Sequence, residues 1–399
     1  MNNIHILIII IIFTLKTYSI NHTQNEALAK LWDVSDNQLP NLLENEKKLI
    51  MVDKIVKQLI ENYEKDFGGT YIDLEKNLLI IYTLNFTKAD IIKTSPQLSD
   101  YLNLTSFVPA DNSLYTLKKS FNETRALAKK LIPKSTVLFI DIKLNDIVII
   151  LYHKHSGQNE EFVEKVKQYN LTLEYVDEIV STAPHRNIVS TIPIMGGDGL
   201  YNPVYNSACS VGFWAKRKNL SDNYIVTAGH CSKPHNPIIY LRQWDSKVAR
   251  FPIGPIIFNK SQPIDVSLVN ITNKEDIEPR LSIRNADSEI NDQLLINKSL
   301  PPVYSHGAHL CKSGYTTHVT CGYIRALDAL YINPKRKIKS QMIITSMSSN
   351  RGDSGGTVFS YAPDLRHASL NGIHIAGAKV LTIVLPIERI INSLNLELP

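Results

Sequence analysis

Arg351-Gly352-Asp353-Ser354-Gly355-Gly356, taken with Thr227-Ala228-Gly229-His230-Cys231 far upstream, decides how this chain reads. A serine hydroxyl is a weak nucleophile near neutral pH; it needs a base for its proton and donors for the oxyanion it creates. Gly352 lets the chain turn sharply, so that the amides of Gly352 and Ser354 aim at one point, while Gly355 and Gly356 keep that point open to a carbonyl. His230 supplies a base that titrates in the right range. A third group must hold the imidazole tautomer. Asp265, heading the alternating stretch Asp265-Val266-Ser267-Leu268-Val269, fits this need, whereas Asp245 follows His230 too closely for the intervening strands. The expected chemistry is acyl transfer in a secreted serine endopeptidase: Ser354 as nucleophile, His230 as general base, Asp265 as orienter, and an oxyanion hole at Gly352 and Ser354. An adhesion reading of Arg351-Gly352-Asp353 needs an exposed loop tip, which a tripeptide opening the oxyanion turn does not offer.

At these residues the chain resembles the chymotrypsin superfamily. The stretches Cys209-Ser210-Val211-Gly212-Phe213, Cys311-Lys312-Ser313-Gly314-Tyr315-Thr316-Thr317 and Cys321-Gly322-Tyr323-Ile324 are similar to its streptogrisin and α-lytic protease branch, whose members carry a large N-terminal pro-region. The resemblance implies an all-β catalytic domain of two six-stranded antiparallel β-barrels, at 205–275 and about 300–385, with a polar crossing at 275–300. It implies the disulfides Cys209–Cys231 and Cys311–Cys321. It also implies an ion pair of Lys312 with Asp353, at a place where the family usually has arginine, shaping the oxyanion turn before any cleavage. Gly372-Ile373-His374-Ile375-Ala376-Gly377 aligns with the strand beside the substrate, so His374, Ala376 and Gly377 are substrate-binding candidates. Similar glutamyl endopeptidases place a histidine at the position of His374, where it meets an acidic side chain; a histidine packed beneath the strand is the competing reading. Three features depart from the family: Ile375 where serine is common, Thr357 after Gly356, and no cysteine just before Gly352.

The chain has 399 residues, 44% hydrophobic, with a formal net charge of +5. This is enough for a sizeable core and too weak a charge to argue for nucleic acid. Ile6–Phe13 is wholly apolar but far short of the ~20 residues a membrane span needs; followed by Lys16 and Thr17-Tyr18-Ser19, it reads as a secretory signal over 1–19. Glycosylation sequons at Asn21, Asn85, Asn103, Asn122, Asn170, Asn219, Asn259, Asn270 and Asn297 agree with export. All 4 cysteines lie in the C-terminal half. By themselves they permit three pairings; they lack the paired spacing of a zinc site and fit an oxidising compartment. No metal or organic cofactor is expected.

Residues 20–190 form a cysteine-free stretch expected to be an α+β pro-domain, followed by the protease domain at 191–399. Helical spacing marks Asn25–Trp32 and Leu42–Tyr63. A weak repeat relates Tyr71–Tyr82 to Phe139–Ile150, each read as strand, polar turn, strand, with helices expected near Ala89–Leu102 and Glu160–Tyr169. Phe67-Gly68-Gly69-Thr70-Tyr71-Ile72-Asp73 resembles the hairpin opening of α-lytic-type pro-domains, which act as folding catalyst and inhibitor in cis. Gly196-Gly197-Asp198-Gly199 marks a junction, with processing between about Val189 and Gly197. Ile387, Ile390, Ile391 and Leu394 share one face of a C-terminal helix. The expected partners are peptide or protein substrates and the chain's own pro-domain, in a monomer free of the membrane after signal removal. The rival function is a catalytically inactive, protease-like binding or adhesion protein.

Overall fold

The computed structural model describes residues 24–169, 171–177, 192–218, 223–232, 237–246 and 248–399. The signal segment, the sequons at Asn21, Asn170 and Asn219, and the processing segment up to residue 191 lie outside the described residues.

The N-terminal part begins with helices α1 (Ala27–Trp32) and α2 (Leu39–Ile60). Leu39, Leu43, Leu49, Val52, Val56 and Ile60 recur on one face of α2 and are buried, the stripe expected of a helix docked on a core. Two similar units follow. Strands β1 (Phe67–Asp73) and β2 (Leu78–Thr83) form a hairpin, helix α3 (Phe86–Lys93) follows, and strand β3 (Thr105–Pro109) returns parallel to β2. After helix α4 (Leu114–Leu131), the hairpin β4 (Thr136–Asp141) and β5 (Asp146–Tyr152) is followed by helix α5 (Glu160–Val166) and strand β6 (Thr172–Val176), parallel to β5. The weak sequence repeat therefore corresponds to two equivalent topologies. Both hairpin turns end on an asparagine at positive φ, Asn77 at 54° and Asn145 at 51°, a conformation asparagine tolerates better than most residues.

Two expectations for this part need correction. The helix expected over Ala89–Leu102 stops at Lys93, because Pro96 disfavours helical geometry in the residue before it and cannot donate within a helix. Helix α4 had not been read at all. It starts at Ser113, whose hydroxyl accepts a hydrogen bond from the Thr116 amide at 3.1 Å, a side-chain cap for a free helix-end donor.

The C-terminal part is almost entirely strand: β7 (Ile192–Gly196), β8 (Gly199–Asn202), β9 (Ser207–Ser210), β10 (Phe213–Arg217), β11 (Asn223–Thr227), β12 (Ile238–Arg242), β13 (Ala249–Lys260) and β14 (Val266–Asn270) come first. Then follow β15 (Ile277–Arg284), β16 (Gln293–Ile296), β17 (His309–Gly314), β18 (His318–Ile332), β19 (Ile338–Thr345), β20 (Thr357–Tyr361), β21 (His367–Ala378) and β22 (Leu381–Pro386), then helix α6 (Ile387–Leu394) and strand β23 (Leu396–Glu397). One eight-stranded sheet runs β23-β10-β11-β14-β13-β12-β8-β9. In the second, larger sheet, β17, β18, β19, β22, β21 and β20 pair successively, and β20 pairs back to β17. The polar crossing expected at 275–300 is instead largely the hairpin β15–β16, which joins β7 and β21 through parallel pairings. Ile277 and Ile283 are buried while Glu278 is exposed, so its charged residues belong to one face of a half-buried strand.

The N-terminal part is built into this sheet. Strand β4 pairs antiparallel with β18, Leu138 opposite Leu330. Leu49, Val52 and Val56 of α2 share a buried cluster with Leu310, Ile324 and Ile343. Glu46 of α2 accepts from the His309 amide at 2.8 Å and from its Nδ1 at 2.5 Å, while His309 Nε2 accepts from the Tyr361 amide at 2.9 Å. These two ring contacts fix the tautomer with its proton on Nδ1. The disulfides Cys209–Cys231 and Cys311–Cys321 are both formed. No helix among the described residues is long and apolar enough to cross a membrane.

Candidate active site

The site lies where the end of β11, the start of β14 and the turn before β20 meet. The short turn Gly229–Cys231 follows β11 and is tied by the Cys209–Cys231 disulfide to the end of β9. It places the His230 backbone amide 2.8 Å from Asp265 Oδ1 and the His230 Nδ1 3.0 Å from Asp265 Oδ2. Asp265 therefore fixes both the backbone and the ring of His230. Its carboxylate is buried, whereas the His230 side chain is 43% exposed. Nδ1 donates to the carboxylate, which leaves Nε2 facing outward as an acceptor. A buried carboxyl should lose its charge, but the hydrogen bond and charge of His230, together with the charge of Lys339, overcome burial and hold Asp265 down at about 2. It stays ionised throughout the neutral range. Asp245, the rival orienter, contacts His318 at 3.4 Å.

The turn 350–356 carries Ser354. Gly352 has φ +104°, and a Cβ there would stand 2.1 Å from Thr316 Oγ1, so conformation and space both require glycine. Ser210 braces the turn from below: its hydroxyl donates to the Gly352 carbonyl at 2.8 Å and its amide to the Ser354 carbonyl at 2.7 Å. With their carbonyls thus engaged, the Gly352 and Ser354 amides donate no hydrogen bond among the described residues. These are the two donors assigned to the oxyanion.

Asp353 points inward. Its carboxylate lies 3.0 Å from Lys312 Nζ and accepts from the Thr316 and Thr317 amides at 2.9 and 3.0 Å, the Asn350 amide at 2.9 Å and Thr317 Oγ1 at 2.6 Å. Lys312 and Asp353 are both fully buried. Burial opposes the charge on Asp353, but Lys312 and the surrounding donors win and hold it at about 2. This buried position also leaves the Arg351-Gly352-Asp353 tripeptide without the displayed acid that an adhesion motif needs.

Ser354 and His230 open onto one cleft of about 630 Å³. No hydrogen bond joins the Ser354 hydroxyl to the His230 ring among the described residues; such contacts commonly tighten only in the reacting complex. The far wall is the β21 segment carrying His374, Ile375, Ala376 and Gly377. The β21 backbone is latched to the turn, with the Gly355 amide donating to the His374 carbonyl at 2.7 Å and the His374 amide to the Gly356 carbonyl at 2.9 Å. The His374 ring is buried, with no hydrogen-bond partner at Nδ1 among the described residues. Burial, aided by the charge of Lys312, keeps it neutral by lowering its pKa to about 3.

One site residue went unread in the sequence. Lys339 of β19, 4% exposed at its side chain, pairs through Nζ with Asp265 Oδ2. In Lys335-Arg336-Lys337-Ile338-Lys339 it looks like part of a solvated basic turn, and only the sheet register, with Lys339 opposite Tyr331, brings it inward.

Residues 207–382 match the trypsin family. The chain carries a trypsin-family domain. The domain belongs to the chymotrypsin superfamily, a group of serine-type endopeptidases. Streptogrisin-D of Streptomyces griseus is 26% identical over 166 residues, which span 42% of this chain and 38% of that protein. Among solved structures, Thermobifida fusca protease A aligns with a TM-score of 0.41 at 20% identity, covering 52% of this chain and 98% of that one. A glutamic acid-specific serine protease aligns with a TM-score of 0.41 at 22% identity over 51% of this chain and 98% of that one. The trypsin-family domain takes in His230, Asp265, Ser354, Lys312, Lys339 and His374, so the geometry above is that of a candidate protease site. Among the described residues, no group of three or more His, Cys, Asp or Glu is arranged to hold a metal ion.

Proposed function

We propose that this chain is the precursor of a secreted serine endopeptidase that cleaves peptide bonds through Ser354, His230 and Asp265. The Ser354 hydroxyl attacks the substrate carbonyl while His230 Nε2 takes its proton. The oxyanion is held by the Gly352 and Ser354 amides. His230 then gives the proton to the leaving amine, and water repeats the sequence on the acyl-enzyme. Asp265 stays ionised and orients the ring. The reading is carried by one observation: a buried carboxylate grips both the amide and the ring of His230 at the mouth of the cleft that holds Ser354. Purified protein should hydrolyse casein, and Ser354→Ala should abolish this. Undiminished hydrolysis by the alanine variant would refute the assignment.

In this proposal residues 191–399 are the protease, built as two barrels; the cyclic pairing of β17 to β22 supports the second. Residues 20–190 act as a pro-domain in cis, and their apolar and strand contacts with the protease support that role. Residues 1–19 are the export signal, and the two disulfides fit an oxidising destination.

An acidic residue before the scissile bond is the substrate preference that the cleft favours. Beyond the Asp265–Lys339 pair, its lining includes the cations Lys335, Lys337 and Arg351 and no further carboxylate. Such a field attracts carboxylates. Cleavage of a peptide library should show Glu or Asp at that position; enrichment of large aromatics there would overturn the preference.

A further inference from the structure

We propose that Lys339 is a positioning residue of this centre: its buried ammonium holds the Asp265 carboxylate against His230 and sets the pH below which His230 ceases to act as a base. The inference rests on the proposed triad and extends it by one residue.

Asp265 has two oxygens and three donors. Oδ1 takes the His230 amide, while Oδ2 is shared by the His230 ring and the Lys339 ammonium. The carboxylate is thus held by two elements, the turn after β11 and β19. Lys339 itself is enclosed, with its Nζ 5.7 Å from the Tyr331 ring centre.

Sharing one oxygen has an electrical consequence. During acyl transfer His230 becomes an imidazolium, and the carboxylate stabilises that charge. Here the carboxylate is already compensated by a buried cation, so it supports the imidazolium less than a solitary aspartate would. The coupling between ring and carboxylate is therefore set in part by Lys339. Of the other charged or titratable groups in this cleft, Lys335 and Lys337 from the turn before β19 and Arg351 from the nucleophile turn are cations, while His374 from β21 is neutral. The Lys312–Asp353 pair behind that turn is internally neutralised. Lys339 differs from the rest because it touches the same oxygen as the ring.

The test is kcat/KM against pH on a peptide that the wild-type protein cleaves, with every variant expressed as the full chain. Lys339→Met should move the acid limb upward by about one to three pH units, the range spanned by removing one charge about 4 Å away between bulk-water and intermediate dielectric. Lys339→Arg should return the limb close to its wild-type position. Because the methionine variant can fail to fold, Lys339→Gln, which keeps a donor and loses the charge, carries the same expectation. An acid limb that stays in place in the neutral variants, whatever happens to their melting temperature, overturns the role of Lys339. A wild-type protein whose turnover survives Ser354→Ala would instead overturn the triad beneath it.

Discussion

The buried Lys312–Asp353 pair supports the nucleophile turn from inside the protein. Removing one partner of such a pair leaves a buried charge alone, at a cost of about 3–5 kcal/mol. Lys312→Met should lower the melting temperature and sharply reduce turnover; unchanged values in both would mean the pair is dispensable. Buried titratable groups also fix the acid stability of the molecule. His374 and His306 are held neutral by burial, with pKa values near 3 and 4, whereas the unfolded chain protonates its histidines near 6.5. Between those values the unfolded state binds more protons, so stability falls as pH drops below about 6.5. Asp265 and Asp353, depressed to about 2, add a second loss below about pH 4, where unfolded carboxyls take up protons. Melting temperature measured from pH 7 to pH 3 should therefore fall in two stages, and His374→Asn should flatten the first. At this scale the sequence was most legible where chemistry forces residue identity: Asp265 binds the amide and ring of His230 as expected, and Ser354 lines the same cleft. Lys339 was illegible because a lysine in a basic run looks solvated until strand pairing turns it inward.

At the scale of elements, legibility followed periodicity. Helix α2 and the two hairpins were readable from apolar spacing. Helix α4 escaped because its buried face is interrupted: the buried set, Leu117, Phe121, Thr124 and Ala128, includes a threonine and an alanine. Strand β15 escaped because it carries charge at Glu278, Arg280 and Arg284, alternating with its buried isoleucines. Element contacts also yield a test. Glu46 of α2 is nearly fully buried and holds both donors of His309 at the head of β17. Glu46→Ala would strand those donors, at a cost on the order of 1–3 kcal/mol. The full chain should lose that much stability in urea titration. A midpoint unchanged from wild type would show that the α2 contact is held by apolar packing alone.

Across the whole molecule, the N-terminal part packs as a second wall against the larger C-terminal sheet. Its helix α2 covers Leu310, Ile324 and Ile343, and its hairpin continues the sheet beyond β18. A chain starting at residue 192 would expose that apolar face while still having to pair strands distant in sequence, a slow process. It should aggregate or refold far more slowly than the full chain, and residues 24–176 added in trans should restore refolding. Prompt refolding of the shortened chain alone would remove the folding role. The decisive measurement concerns the centre itself. Wild-type protein treated with a fluorophosphonate at neutral pH should carry one adduct, mapped by mass spectrometry to Ser354 and strongly reduced by His230→Ala. An adduct on another residue, or no adduct on folded and processed protein, would contradict the account.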